Sequence, residues 1–370
     1  MNTSTGRKTA RSFTLIAALA LILPACDSSS PKPPSAEEDK PTAQTFEIAE
    51  NPTWTATVKG YRACPSYTND LIVDGGKSDV TVRDATTGKT KWSHKKEGSC
   101  PLITKEAAFV GAADGQVASL DLSTGKQKSV LDVSTVSDAD PDNPEETPTG
   151  LHFMFDGDIY TVNKSLTNNL WEHAETADIW VTGMTAHGPT LVLATKNGKV
   201  KALSGKDGKL LWTYATPSHG LIEGTIAVTN EAVYFSSKDE SVYALSLSTG
   251  KKIWATKLIG SAWGPSVSGN LVITGDGYYV YGLDKKTGKE KWRYDSDHGY
   301  VLTAAGQVFF PETDTDTDTD KVTALDAATG ELVTSIPAPG AYRLAASPTH
   351  LYIWTPTSIQ AHKITKRTPA

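Results

Sequence analysis

Cysteine is scarce in this chain, three residues in 370, and no two are adjacent or spaced as Cys-x-x-Cys. That leaves no dithiol redox motif. Gly-x-Ser-x-Gly, His-Glu-x-x-His and phosphate-binding glycine loops are also missing, which removes the usual hydrolase, zinc-peptidase and nucleotide-binding signatures. The eight histidines are scattered, without metal-ligand spacing. No segment carries the 3.6-residue apolar period of a helical repeat. The only long apolar run, FTLIAALALILPA (13–25), is too short to span a bilayer. Excess positive charge is lacking too. The formal net charge is −6, and it becomes −9 once the three basic residues before that run are removed. An acidic body of this kind argues against nucleic-acid binding and against a basic membrane-surface patch.

What is present is a repeat. VRDATTGKTKW (82–92), SLDLSTGKQKS (119–129), KALSGKDGKLLW (201–212), YALSLSTGKKIW (243–254), YGLDKKTGKEKW (282–292) and TALDAATGELVT (323–334) are variants of one motif, and TVNKSLTNNLW (161–171) is a worn seventh copy. Taking the turn position as the phase marker, Gly88, Gly125, Thr167, Gly208, Gly250, Gly288 and Gly330 follow one another at steps of 37, 42, 41, 42, 38 and 42 residues. Each copy reads as a β-hairpin, two alternating runs around a turn in which glycine supplies positive φ. Upstream lie further apolar runs, such as TLVLATKNG (190–198) and EAVYFSSKD (231–239). Four strands in about 40 residues is the signature of a propeller blade.

The chain ends complete the count. NPTWTATV (51–58) reads as a fourth strand without its hairpin, and YRLAASPTHLYIWTPTSIQAHKI (342–364) as three strands without a fourth. Joined, they make one blade closed by both termini, which removes the exposed edges of an open array. The expectation is an all-β, eight-bladed β-propeller of four-stranded antiparallel sheets over 51–366, monomeric. Trp54, Trp92, Trp171, Trp212, Trp254 and Trp292 recur in the outer strands, where a large ring can pack across the seam to the next blade. The Asp or Ser eight residues earlier can bond its own turn.

The pattern Ala/Gly-Leu-Asp-x-x-Thr-Gly-x-x-x-Trp resembles the PQQ-like repeat of the quinoprotein-type propellers over essentially the whole mature chain. Two branches of that family are the quinone-dependent dehydrogenases and the non-enzymatic propeller lipoprotein of the outer-membrane assembly machine. The second is closer in length, lipid anchor and lack of catalytic insertions. The first carries an adjacent-cysteine disulfide, calcium ligands and longer blades, whereas this chain has no Cys-Cys pair and about 40 residues per blade. The resemblance therefore implies fold without PQQ, and no cofactor is expected.

Arg7, Lys8 and Arg11 precede the apolar run, which ends in Leu23-Pro24-Ala25-Cys26. This resembles the bacterial lipobox, with an unusual proline, and implies a signal peptide over 1–25 and a lipid anchor on Cys26. Residues 26–50, rich in Pro, Ser and acids, read as a disordered tether. The other two cysteines, Cys64 and Cys100, are each followed by Pro and sit seven residues before Leu71 and Ala107. Equal phase on the innermost strands of neighbouring blades, in an exported domain, makes a Cys64–Cys100 disulfide the expectation.

Two acidic segments break the repeat, VSDADPDNPEETPTG (136–150) between blades 2 and 3 and PETDTDTDTDK (311–321) in the second turn of blade 7. Both are expected as loops on one face, either a cation or basic-partner surface or plain solvated loop. Asp138, Asp140 and Asp142 have the opening spacing of a calcium loop, but Asn143 and Thr149 stand where it needs Gly and Glu. Any ligand pocket should lie at the channel mouth on that face, near Arg62, Trp180, Glu223, Trp263, His298, Tyr300 and Arg343, residues that serve equally as channel packing. The reading is an extracytoplasmic, membrane-anchored propeller lipoprotein that binds a protein or envelope component and performs no catalysis. The alternative is a small quinoprotein-type enzyme using the channel mouth.

Overall fold

Alternating runs punctuated by turn residues form antiparallel hairpins, and here they do so eight times. The computed structural model describes residues 46–58, 66–75, 79–95, 101–112, 116–132, 142–155, 158–173, 181–217, 226–314 and 319–366. All fall within the unit Pro41–Ala370, and none is helical. Eight separate sheets follow one another around an eight-bladed β-propeller. In blade 4, for example, Val181–His187, Thr190–Thr195, Lys199–Ser204 and Leu210–Ala215 run from innermost to outermost, each paired with its chain neighbour.

Blade 8 is the composite one. Arg343–Ala346, His350–Trp354 and Ser358–Lys366 come from the C-terminus, and Trp54–Thr57 adds the fourth strand, with Trp54 opposite Ala361 and Thr57 opposite Ser358. A further strand, Phe46–Ile48, pairs with the far end of the same edge, Phe46 opposite Lys366. This corrects the expected tether of 26–50: its last residues belong to the propeller, because Phe46 and Ile48 have apolar partners there. Ile48 is buried among Phe309, Ile336, Leu351 and Ile364, and Phe46 packs on the same cluster.

Both acidic segments are also more ordered than a loop. Residues 142–146 form the innermost strand of blade 3, paired with Leu151–Phe155. In blade 7 the second and third strands continue as a ladder through Pro311↔Val322, Glu312↔Lys321, Thr313↔Asp320 and Asp314↔Thr319. The Thr-Asp alternation has the period of two that a strand needs. The nearly buried Glu312 carboxylate is held by Lys321 at 3.0 Å and by the Thr323 hydroxyl at 2.9 Å.

The core is not one mass but eight apolar clusters, one at each seam between neighbouring blades. At six seams the repeat's tryptophan closes the outer end. Its indole Nε1–H donates to a main-chain carbonyl of the next blade, namely Ala85, Leu122, Gly205, Leu247, Lys285 or Ala327, at 2.7–3.2 Å. Its ring lies flat on the turn glycine three residues after that carbonyl. These glycines have φ between +67° and +72°, and a Cβ on any of them would come within 2.5–2.7 Å of the ring. Glycine is thus required twice, for the left-handed backbone and for the close approach. The turns are fixed from within by the repeated aspartate. The Asp84 carboxylate accepts from the Thr87 amide and hydroxyl at 2.9 and 2.8 Å, and Asp284 does the same with Thr287.

Two seams depart from this pattern. Ser129 replaces the tryptophan between blades 2 and 3, and Thr334 replaces it between blades 7 and 8. In the facing turn of blade 3, Thr167 replaces the glycine and Leu166 takes the positive φ, +55°. Leu166 is thereby turned inward, 2% exposed, among Ala107, Phe109 and Val117 of blade 2.

Candidate functional site

In each blade the turns joining first to second and third to fourth strands lie on one face, here the turn face. The hairpins joining second to third strands and the passages between blades lie on the other, the passage face. This follows from a simple meander, and it places the expected channel-mouth residues on the passage face. Of these, Trp263, His298, Tyr300 and Arg343 are described. Arg62, Trp180, Glu223, Cys26, Cys64, Cys100, Asp138 and Asp140 lie outside the described residues, as does the side chain of Asp142. The innermost strands of blades 1 and 2 begin at Ser66 and Leu102, two residues after each cysteine.

Trp263 sits in the passage from blade 5 to blade 6 and is 56% exposed, yet it is firmly held. Its amide donates to the Gly275 carbonyl at 2.8 Å. Its own carbonyl accepts from the Ser236 and Thr274 hydroxyls, both at 2.7 Å. Its ring rests directly on Gly299, where a Cβ would lie 1.9 Å from Cδ1. Around Gly299 the other three residues follow. His298 Nδ1 faces the Asp297 carboxylate at 2.9 Å, and the Arg343 guanidinium lies 5.7 Å from the Tyr300 ring centre. Burial raises the Tyr300 phenol above its ordinary range, and Arg343 partly opposes that.

Two neighbours escaped the sequence reading. Ile259 is 57% and Tyr278 62% exposed, and both flank the same passage. Gly260 backs onto the Tyr278 ring, and its amide donates to the buried Asp276 carboxylate at 3.0 Å. Asp276 also accepts from the Tyr278 and Tyr279 amides and the Tyr281 hydroxyl at 2.8–2.9 Å. Burial opposes its ionisation, but these four donors together hold its pKa below the usual carboxylate range. The signal available in sequence was Gly260, Trp263, Gly275 and Gly277 around Asp276, a density of turn residues that the repeat does not require.

Two other titratable groups are confined to packing. His152 is fully buried, bonded through both ring nitrogens to Thr147 and Thr161 at 2.9 and 2.7 Å, and burial pushes it down to about 4. On the innermost strand of blade 3, Glu145 accepts from the Ala186 amide of blade 4 at 3.1 Å. Burial pushes its carboxyl up to about 7, with the amide bond pulling the other way. Among the described residues no group of three or more His, Cys, Asp or Glu converges to hold a metal ion. The arrangement on the passage face is suited to contact rather than bond-making: aromatic and apolar surface on a rigid backbone, with one arginine beside it.

A sequence profile of the family described as outer membrane protein assembly factor BamB matches residues 48–294. The chain belongs to the BamB family. Among curated relatives, BamB of Salmonella typhimurium is 36% identical over 77 residues, 19% of this chain and 20% of that protein. BamB of Legionella pneumophila is 26% identical over 195 residues, 49% of this chain and 50% of that protein. The quinoprotein ethanol dehydrogenase of Pseudomonas aeruginosa is 31% identical over 121 residues, 31% of this chain and 18% of the enzyme. The chain thus spans from about a fifth to half the length of these relatives. The crystal structure of BamB from Moraxella catarrhalis superposes with a TM-score of 0.66 at 15% identity, covering 84% of this chain and all of the other. At that identity the likeness to the Moraxella catarrhalis structure is one of fold.

Proposed function

We propose that this chain is an extracytoplasmic propeller lipoprotein, anchored through Cys26, that docks a protein partner of the cell envelope on its passage face and catalyses no reaction. The observation that carries this is Trp263, an exposed indole resting on Gly299 whose backbone amide and carbonyl are held by three hydrogen bonds, with Ile259 and Tyr278 beside it. Exposed aromatics on rigid backbone are the commonest anchors of protein interfaces, since little side-chain entropy is lost on binding. The family's name for its members, an outer membrane assembly factor, supports the same kind of role. The propeller chain starts at Phe46, opposite Lys366, on the turn face.

Photo-crosslinking from position 263 in native membranes tests the docking face. A discrete partner band is expected, lost in the Ile259→Ala/Tyr278→Ala variant. Absence of any band, or the same band with probes placed on the turn face, would refute it. Fatty-acid labelling of the wild type but not of Cys26→Ser tests the anchor. Zero free thiols in denatured, unreduced Cys26→Ser protein would support a Cys64–Cys100 bridge.

The second reading, a small quinoprotein, is favoured by the partial matches to quinoprotein ethanol dehydrogenases. The described residues supply no acidic or histidine set for the calcium that this branch uses. Calorimetric titration with the quinone plus calcium separates the readings.

A further inference from the structure

The seam between blades 2 and 3 lacks both halves of the device that closes six others, and a cleft of about 570 Å³ opens there between Ser129 and the Lys164–Ser165 turn. Its floor is Ala107 and Phe109, and its walls include Ser129 and Ser165. Ser129 holds the position of the repeat's tryptophan. The carbonyl equivalent to the six indole acceptors belongs to Lys164, and among the described residues no indole donates to it. The volume falls in the usual range for ligand sites, and an apolar floor with a few convergent polar groups is their usual character.

We propose that this cleft binds a planar aromatic ring bearing an N–H or O–H donor, an indole or a phenol. The chemistry is the fold's own: six times the same pair of blade edges accepts an indole, its face against the turn and its N–H on a main-chain carbonyl. Thr167 stands where the other turns carry glycine, so an entering ring sits further out than the internal six, over Ser129 and Ser165. Leu166 fills the inner part of the seam, which keeps the propeller closed while the outer part stays open. Charge does not select the ligand. Lys128 is paired with Asp121 at 3.0 Å, Lys164 with Glu146, and Lys105 is followed by Glu106 on the rim. The rim is therefore balanced, and recognition falls to ring shape and the donor. This site lies on the turn face and is independent of docking at Trp263.

The ring can come from a free small aromatic or from a partner's tryptophan or tyrosine. Saturation-transfer NMR on the whole mature protein, with N-acetyl-tryptophanamide and with acetylated, amidated Gly-Gly-Trp-Gly-Gly as probes, reads both. Transfer to the indole protons is expected for both probes, absent for N-acetyl-alaninamide and unchanged between low and high salt. Tenfold tighter binding of the pentapeptide would assign the ring to a partner chain, and equal affinity to a free aromatic. The Ser129→Trp/Thr167→Gly variant restores the repeat's own ring and glycine. It should lose binding at least tenfold while its unfolding midpoint stays at or above that of the parent. Should it fail to fold, Ser165→Tyr, which blocks the outer wall alone, gives the same readout. No transfer to either indole probe, or undiminished transfer in the folded blocked variant, would overturn the proposal.

Discussion

Six seams of this propeller close by one rule, and two close by improvisation. Where indole and glycine meet, the ring of one blade covers the turn of the next and leaves no room for a single added carbon. Between blades 7 and 8, where Thr334 replaces the tryptophan, the chain brings in a segment from the opposite terminus. Phe46 reaches to within 3.4 Å of a Cβ position on Gly306, and Ile48 enters the core. Between blades 2 and 3 the repair is local: Leu166 turns inward at a backbone conformation that costs about 1 kcal/mol for an L-residue. A seam therefore needs filled volume rather than a particular residue. The smaller local filler leaves a cleft, whereas the added strand carries Phe46 and Ile48 into the apolar cluster of its seam.

Several experiments would break or sharpen this comparison. The largest effect belongs to the terminus that repairs blade 8. Deleting residues 46–57 removes both strands on the outer edge of Ser358–Lys366 and the Trp54 ring, exposing an unpaired edge. No folded monomer is expected by size exclusion and circular dichroism, and a soluble monomer with the parental midpoint would contradict the closure. Next come the rings themselves. Trp212→Ala, at an 8% exposed site, should cost about 3–5 kcal/mol in denaturant unfolding. Ser129→Ala, at the matching position of the open seam, should stay within about 0.5 kcal/mol. Similar losses for both would mean the two kinds of seam are equally tight.

The glycines give the third pair. Gly250→Ala meets the Trp212 ring at 2.6 Å with φ at +67°, and strain plus overpacking amounts to about 3 kcal/mol. Thr167→Ala gives up only the exposed hydroxyl bonded to Asn163 at 2.7 Å, so less than about 1 kcal/mol is expected. The smallest effect is electrostatic and sits in blade 3. Glu145 has its folded pKa raised from 4.5 to about 7, so the folded state holds this proton more tightly than the unfolded chain. Its contribution is complete below pH 4.5 and is lost as pH rises through 7. Glu145→Gln should leave stability unchanged at pH 4 and raise it above pH 7, by on the order of 2 kcal/mol. A pH-independent difference between the two proteins would refute the assignment.

The blade count, the composite closure and the seam role of the tryptophans were legible because each copy states the same local rule, and copies in phase reinforce one another. The acidic inserts have the composition of loops, which masks their period. Yet Thr-Asp alternation around residues 311–321 continues a ladder, and Asp142–Glu146 supplies a strand that blade 3 would otherwise lack. The boundary at 50 came too late for a related reason: a three-residue strand carries almost no periodic signal, and only its apolar partners hold it. On the passage face, Trp263, His298, Tyr300 and Arg343 were gathered by phase alone. Ile259 and Tyr278, which flank them, carry no repeat signal at all.

Sequence by itself determined the things that recur. Local alternation, a turn that demands glycine and a ring four residues later act within some 40 residues, and eight such units with one shared between the termini can close only as a ring. Tertiary structure decided what happens where the copies fail. Whether Ser129 leaves a cleft or a filled seam depends on which way Leu166 points in another blade. Whether Trp263 is a core residue or an exposed anchor depends on Gly299, 36 residues away. Those outcomes are set by volume and by carbonyls brought close only when blades meet, and volume across a seam is written in two places of the chain at once.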